Sequence, residues 1–123
     1  MIKVNEIINY CLNKKGAAEF RPFGEIPIVI KVCGKIFSEI YPNMDNYKIT
    51  LKCEPFLAEL LRNKYTGTVI PGYHVPNSNK KYWNTIYLNG NIDEEEILSM
   101  IDHSYDQVVK KFSKIQKALL YTE

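Results

Sequence analysis

Three stretches of the chain carry apolar residues at helical spacing. Near the N-terminus these residues fall at i, i+3, i+4 and i+7, which is one face of a helix: Val4, Ile7, Ile8 and Cys11. A second stripe lies within residues 56–61, directly after Pro55, a residue suited to the first turn of a helix. The third runs over residues 97–112, and Asp93 with Glu96 predicts a capping box at its start.

Between and after the first two helices the pattern is that of strands. Ile28–Val32 is a short apolar run, and residues 36–41 follow a short interval in which Gly34 can adopt positive φ for a hairpin. Residues 47–52 alternate apolar and polar, which predicts a strand with one solvated face. Two further strands are predicted at residues 69–70 and 82–88. The predicted order is α-β-β-β-α-β-β-α, an α+β two-layer sandwich in which helices pack on an antiparallel sheet.

Length and composition favour a single domain over residues 1–123. With 46% hydrophobic and 24% charged residues, the chain is typical of a soluble globular protein. It has neither an apolar run of about 20 residues nor a signal-peptide core, so a cytoplasmic location is expected, with no membrane partner. Cys11, Cys33 and Cys53 form no CxxC pair and have apolar neighbours, so we expect all three to pack in the core as free thiols.

The net charge of +2 is too small to indicate a partner, but the charges are unevenly distributed. Residues 60–92 contain no Asp or Glu, although the chain has 14, and residues 107–122 hold four lysines and no acid. The first of these segments also combines lysines with aromatic rings, which suits a polyanion such as nucleic acid. The candidate nucleic-acid-binding residues are Lys80, Lys81, Trp83, Asn84, Tyr73 and His74.

Each candidate has a functional and a structural interpretation. Lys80 and Lys81 suit phosphate contacts or a solvated loop. Trp83 suits base stacking, yet side chains alternate along a strand, so we expect Tyr82 or Trp83 to lie in the core. Asn84 suits an adenine edge or a local backbone contact. The strand lysines extend the patch if they face the same way: Lys31, Lys35, Lys48 and Lys52.

Catalysis is not predicted. Asp102, His103 and Ser104 are adjacent, and successive helical positions point about 100° apart, so they cannot form a hydrogen-bonded triad. Ser104 is expected to anchor its helix to the sheet, and Asp102 with His103 to meet the turn at residues 73–74. His74 has the pKa range of an acid or base but no partner evident in sequence. No phosphate-loop, metalloprotease or nucleophile-elbow motif occurs, and no cofactor or metal is expected.

Six short motifs follow one another along the chain: Tyr10-Cys11-Leu12, Phe23-Gly24, Leu51-Lys52-Cys53-Glu54-Pro55, Pro71-Gly72-Tyr73-His74, Trp83-Asn84-Thr85 and Ile101-Asp102-His103-Ser104-Tyr105. In this order they resemble the motifs of the MmcQ/YjbR-like family of small bacterial proteins. The resemblance implies a compact two-layer α+β fold, similar to frataxin-type and secretion-chaperone-like domains, and DNA binding as a general function. Two departures from the family pattern are the apparent insertion of Pro76-Asn77-Ser78 and Glu54 in place of the usual Asp.

Two functional hypotheses follow. The first is a DNA-binding protein, with duplex DNA as the expected partner, that uses a basic and aromatic surface mainly for phosphate contacts. The second is a protein-interaction or small-ligand module without catalytic activity. Neither the DNA sequence nor the oligomeric state is predicted.

Overall fold

The computed structural model describes residues 1–121, which form six strands and four α-helices. The helices are α1 Val4–Leu12, α2 Pro55–Lys64, α3 Glu94–Val109 and α4 Lys114–Leu120. The strands are β1 Ala17–Phe20, β2 Ile28–Val32, β3 Lys35–Tyr41, β4 Lys48–Lys52, β5 Val69–Pro71 and β6 Trp83–Tyr87. Short 3-10 turns precede β4 and β6, at Met44–Asn46 and Asn77–Tyr82.

All strands pair antiparallel in one sheet, in the order β1-β2-β3-β4-β6-β5. Ile40, Ile49 and Ile86 are paired across β3, β4 and β6, and they share one core with residues of α1, α2 and α3. We call this side of the sheet the helix face. The α+β class and the antiparallel sheet with packed helices are therefore confirmed.

Ser104 fixes α3 to the centre of the sheet, as expected from the sequence. Its buried hydroxyl donates to the carbonyl of Phe37 over 2.6 Å and accepts from the backbone N–H of Lys52 over 2.9 Å. The strand register shifts next to Phe37, where β3 carries one extra residue opposite β2. The hydroxyl thus bonds to the backbone of two neighbouring strands, as a donor to β3 and as an acceptor from β4.

The first correction concerns residues 17–24. Ala17–Phe20 forms strand β1 on β2, although its sequence shows no apolar alternation, because the backbone of the longer β2 supplies the pairing. Phe23, in the Phe23-Gly24 motif, has a side chain that is 71% exposed and lies outside the core. The predicted element order therefore lacked one strand.

The second correction concerns helix ends. The final helix is divided, because Ser113 and Gln116 form a capping box that starts α4 after α3 has ended. Asp93 occupies the N-cap of α3 without a capping hydrogen bond, so the predicted box with Glu96 is wrong. Glu54 does cap α2, and its carboxylate accepts from the backbone N–H groups of Phe56 and Leu57.

The three cysteines lie in two kinds of environment. Cys11 and Cys53 are buried, but Cys33 is exposed in the β2–β3 turn with φ of 47°, next to Gly34 with φ of 77°. The expectation of a core position was therefore wrong for Cys33, because a two-residue hairpin turn projects from the sheet.

Among residues 1–121, no helix has both the length and the apolar character that crossing a membrane requires.

A candidate nucleic-acid interface

A cavity of about 560 Å³ opens where one end of the sheet meets the C-terminal part of α3. It is lined by the β2–β3 hairpin, the end of β4, the start of β6 and the region from α3 to α4. The lining residues are Gly34, Lys35, Ile36, Lys52, Trp83, Val108, Lys111, Phe112 and Gln116. We call this cavity the basic groove. Its lining contains three lysines, the chain's one tryptophan and no acidic residue.

Strand pairing and helix docking bring these distant residues together. Lys52 and Trp83 are cross-strand partners, so their side chains project from the same side of the sheet. The Lys52 Nζ atom lies 6.0 Å from the centroid of the Trp83 ring. The bond between Ser104 and the backbone of Lys52 places α3 over this end of β4, and Lys111 follows soon after α3 ends.

The groove concentrates positive charge. Burial lowers the pKa of Lys52, and the positive charges of Lys111, Lys110 and Lys35 lower it further. Among residues 1–121, no ion pair neutralises any of these four lysines. Like charges held together disfavour the folded state, and a bound polyanion would relieve that repulsion.

Tyr82 extends the aromatic surface beside the groove. The Nζ atoms of Lys81 and Lys111 lie 5.2 Å and 5.6 Å from the centroid of its ring. Both Tyr82 and Trp83 are half-buried, and neither belongs to the hydrophobic core. The expectation that one of the two would be a core residue is therefore wrong.

Lys80 and Lys81 occupy different environments. Lys80 is half-buried, and its ammonium donates to the carbonyl of Gly72 over 3.1 Å. Its own carbonyl accepts from Arg62 over 2.6 Å, so the segment with the apparent insertion is held against α2 as a 3-10 turn. Lys81 is exposed beside Tyr82. Lys81 is thus the exposed member of the pair, whereas Lys80 is engaged within the protein.

Asn84 has a structural position. It is 2% exposed and lies on the helix face, where its Oδ1 accepts from Arg62 Nε over 2.7 Å. Its Nδ2 donates to the carbonyl of Ala58 over 3.2 Å. Both ends of the amide are engaged inside the protein, so contact with a base edge, proposed from the sequence, is not available to this side chain.

Tyr73 lies on the face of the sheet opposite the helices, away from Asn84. Its backbone N–H donates to the hydroxyl of Thr85 over 2.8 Å, and its ring centroid lies 3.4 Å from Lys48 Nζ. The rings of Tyr41 and Tyr87 lie 5.1 Å and 5.8 Å from the same Nζ atom. Lys48 is only 2% exposed, and burial lowers its pKa. This lysine is enclosed by tyrosines and does not extend the basic patch.

His74 adjoins this tyrosine cluster and not the groove. It has φ of 58°, and its ring centroid lies 3.9 Å from that of Tyr73. Burial raises the pKa of the neighbouring Glu39 carboxyl, an effect that the Tyr41 hydrogen bond and the His74 charge reduce. Tyr73 and His74 were expected to join the lysines and Trp83, but their contacts link them to this separate polar cluster.

Asp102 and His103 do not contact the turn at Tyr73 and His74, contrary to expectation. Asp102 accepts from the Tyr10 hydroxyl over 2.7 Å and forms an ion pair with Lys14. His103 accepts from the Glu54 N–H at Nε2 over 3.1 Å. Both side chains project from α3 on the helix face, whereas the turn lies on the other side of the sheet.

A second, smaller cavity of about 140 Å³ lies between α2 and α3 on the helix face. Its walls are largely apolar, with Glu96, Ser99 and His103 among the lining residues. Among residues 1–121, no three His, Cys, Asp or Glu side chains are grouped as a metal site would require.

Comparison with known proteins identifies the family. The YjbR family model matches residues 12–107. The chain belongs to the YjbR family. It is 32% identical to the uncharacterised protein YjbR of Escherichia coli over 117 residues, which cover 95% of this chain and 96% of that protein. It is 33% identical over 93 residues to the uncharacterised E. coli protein YbdF, covering 76% of this chain and 73% of that one.

Two solved structures have a similar fold. The crystal structure of Deinococcus radiodurans protein DR2400, which has a DUF419 domain, matches with a TM-score of 0.88 and 28% identity. That match covers 100% of this chain and 91% of DR2400. A Pseudomonas syringae protein matches with a TM-score of 0.66 and 26% identity, covering 84% of this chain and 96% of that one.

Proposed function

We propose that this YjbR-family protein binds nucleic acid, with DNA as its partner, through the basic groove. The observation that carries the proposal is the convergence of Lys35, Lys52 and Lys111, from three separate parts of the chain, on a cavity without an acidic lining residue. Lys81 and Tyr82 extend the same surface. Lysine ammonium groups neutralise phosphates and release their counterions, so binding of this kind weakens as salt increases.

A salt titration with matched variants tests the proposal. Affinity for a random-sequence DNA duplex is measured by fluorescence anisotropy for the wild type and for the triple variant Lys35→Gln, Lys52→Gln, Lys111→Gln. If each lysine neutralises one phosphate, the slope of log affinity against log salt becomes shallower by roughly 2.7 in the variant, about 0.9 per contact. The matched control changes Lys3, Lys15 and Lys64, which are not among the residues that line the groove, to Gln.

The control removes the same amount of charge, so its salt slope is expected to stay close to that of the wild type. Equal slopes for the two triple variants would show that net charge, not the groove, determines binding. A wild type with no measurable duplex affinity at low salt would exclude the proposal.

The small-ligand alternative is supported by one specific observation, the cavity of about 140 Å³ between α2 and α3. Leu51, Leu57 and Met100 are among its walls, and a cavity of this size suits a single small apolar ring. Met100→Trp would fill the cavity without replacing a residue that lines the groove. Loss of small-molecule binding in this variant, with DNA affinity retained, would favour the alternative function.

A further inference from the structure

The basic groove combines an apolar wall with positive charge. Its volume of about 560 Å³ falls in the range of about 300–1,000 Å³ typical of small-ligand sites. Ile36, Val108 and Phe112 supply apolar wall, whereas Lys35, Lys52 and Lys111 supply charge. A nucleotide presents the same two chemistries, an apolar base face and an anionic phosphate.

Trp83 is held in place by its surroundings. Its backbone is part of β6, and its carbonyl accepts from the N–H of Gly72 over 3.0 Å. Gly72 packs so closely that an added Cβ would lie 2.9 Å from the Trp83 Cβ and 2.7 Å from a Val75 methyl. A side chain whose backbone and Cβ are held in this way loses less conformational entropy when a ligand stacks on it.

We propose that the groove takes an unpaired nucleotide of a DNA strand, with the base against Trp83 and the phosphates on the lysines. This inference rests on the proposed function and narrows its ligand. In a duplex each base face is covered by its neighbours, so a duplex offers the groove only its phosphates. An unpaired strand offers phosphates and a free base face, and stacking of that face on an aromatic side chain adds affinity.

Trp83 provides the measurement, because it is the one tryptophan of the chain. Its fluorescence is followed while the wild type is titrated with a single-stranded oligonucleotide, the same strand in a duplex, and an abasic strand of equal length. The unmodified single strand is expected to quench the fluorescence and to bind between about fivefold and a hundredfold more tightly than the abasic strand. The abasic strand is expected to keep the salt dependence, since it retains the phosphates.

Two variants test the ring itself. Trp83→Leu is expected to lose the preference for the unmodified strand over the abasic strand, whereas Trp83→Phe, which retains an aromatic face, should keep part of it. Retention of that preference in a folded Trp83→Leu protein would overturn the inference. The comparison of the three DNA ligands on the wild type remains decisive if the Leu variant does not fold.

The outcomes separate this inference from the proposed function. Equal binding of single strand, abasic strand and duplex, without a change in fluorescence, would overturn the unpaired-nucleotide site and leave DNA binding in place. Failure of all three ligands to bind would overturn both. A free mononucleotide that binds as tightly as the strand would also overturn the inference, because the strand's additional phosphates would then contribute nothing.

Discussion

Lys52 and Trp83 are directly paired residues of β4 and β6, and the Lys52 ammonium lies 6.0 Å from the Trp83 ring centroid. This ammonium is also close to the charges of Lys111, Lys110 and Lys35, which, after burial, lower its pKa. The pair therefore combines an aromatic face with a cation that has no acidic partner within the described chain.

The lowered pKa of Lys52 predicts how DNA binding depends on pH. Lys52 loses its proton at a lower pH than an ordinary lysine, and phosphate contact requires the charged form. As the pH rises into the alkaline range and Lys52 loses its charge, wild-type affinity should fall. Lys52→Arg keeps its charge throughout, so its affinity relative to wild type should rise with pH, by up to roughly tenfold.

The sign of the stability effect provides an independent check. A lysine whose folded-state pKa is below its unfolded value disfavours folding while it is charged, and this penalty is relieved as the pH rises through the folded pKa. Lys52→Met should therefore stabilise the protein at neutral pH and do so less at alkaline pH, as measured by urea unfolding. A stabilisation that increases with pH would contradict the assignment.

Asn84 provides a prediction that separates stability from binding. In Asn84→Ala, Arg62 loses its Oδ1 partner and the carbonyl of Ala58 loses its donor, so the free energy of unfolding should fall by about 2 kcal/mol. DNA affinity of the folded fraction should stay within about twofold of wild type, since the amide does not reach the groove. The measurements are chemical denaturation and anisotropy on the same preparation. A large loss of affinity at unchanged stability would restore Asn84 as a contact residue.

The tyrosines around Lys48 predict a measurable pairwise coupling. The Tyr73 ring lies 3.4 Å from Lys48 Nζ, and no ion pair within residues 1–121 involves this lysine. A double-mutant cycle with Lys48→Met and Tyr73→Leu should give a coupling free energy of about 1–2 kcal/mol, the strength of a desolvated cation–π contact. Tyr87→Leu in place of Tyr73→Leu provides the control, because its ring is 5.8 Å away and should couple more weakly. A Tyr73 coupling below about 0.3 kcal/mol would show that the contact contributes only packing.

Much of the fold was predictable, because the helices and central strands have clear periodicity. Strand β1 was missed because its pairing depends on the partner's backbone more than on its own side chains. The division between α3 and α4 had a local signal, Ser113 followed by Gln116, that the longer apolar periodicity obscured. Local sequence thus identified the principal elements but not every boundary.

The site was less predictable than the fold. Trp83 was identified from its neighbours in sequence, but Lys111 comes to the groove only because α3 docks on β3 and β4. Asn84 shares the conspicuous motif and yet faces the other side of the sheet, since adjacent strand residues alternate. Sequence proximity to Trp83 was therefore a poor guide to membership of the groove, and the lysines' convergence depends on tertiary structure.

The exposed turn of the β2–β3 hairpin allows a fluorescent label to be attached beside the groove. Burial raises the pKa of the Cys11 and Cys53 thiols to about 11, which leaves them unreactive at neutral pH. Cys33 is the exposed thiol among the three, and it directly precedes Gly34, which lines the groove. A maleimide dye would therefore attach selectively at the groove entrance, without any engineered cysteine, and energy transfer from Trp83 to that dye would report occupancy in real time.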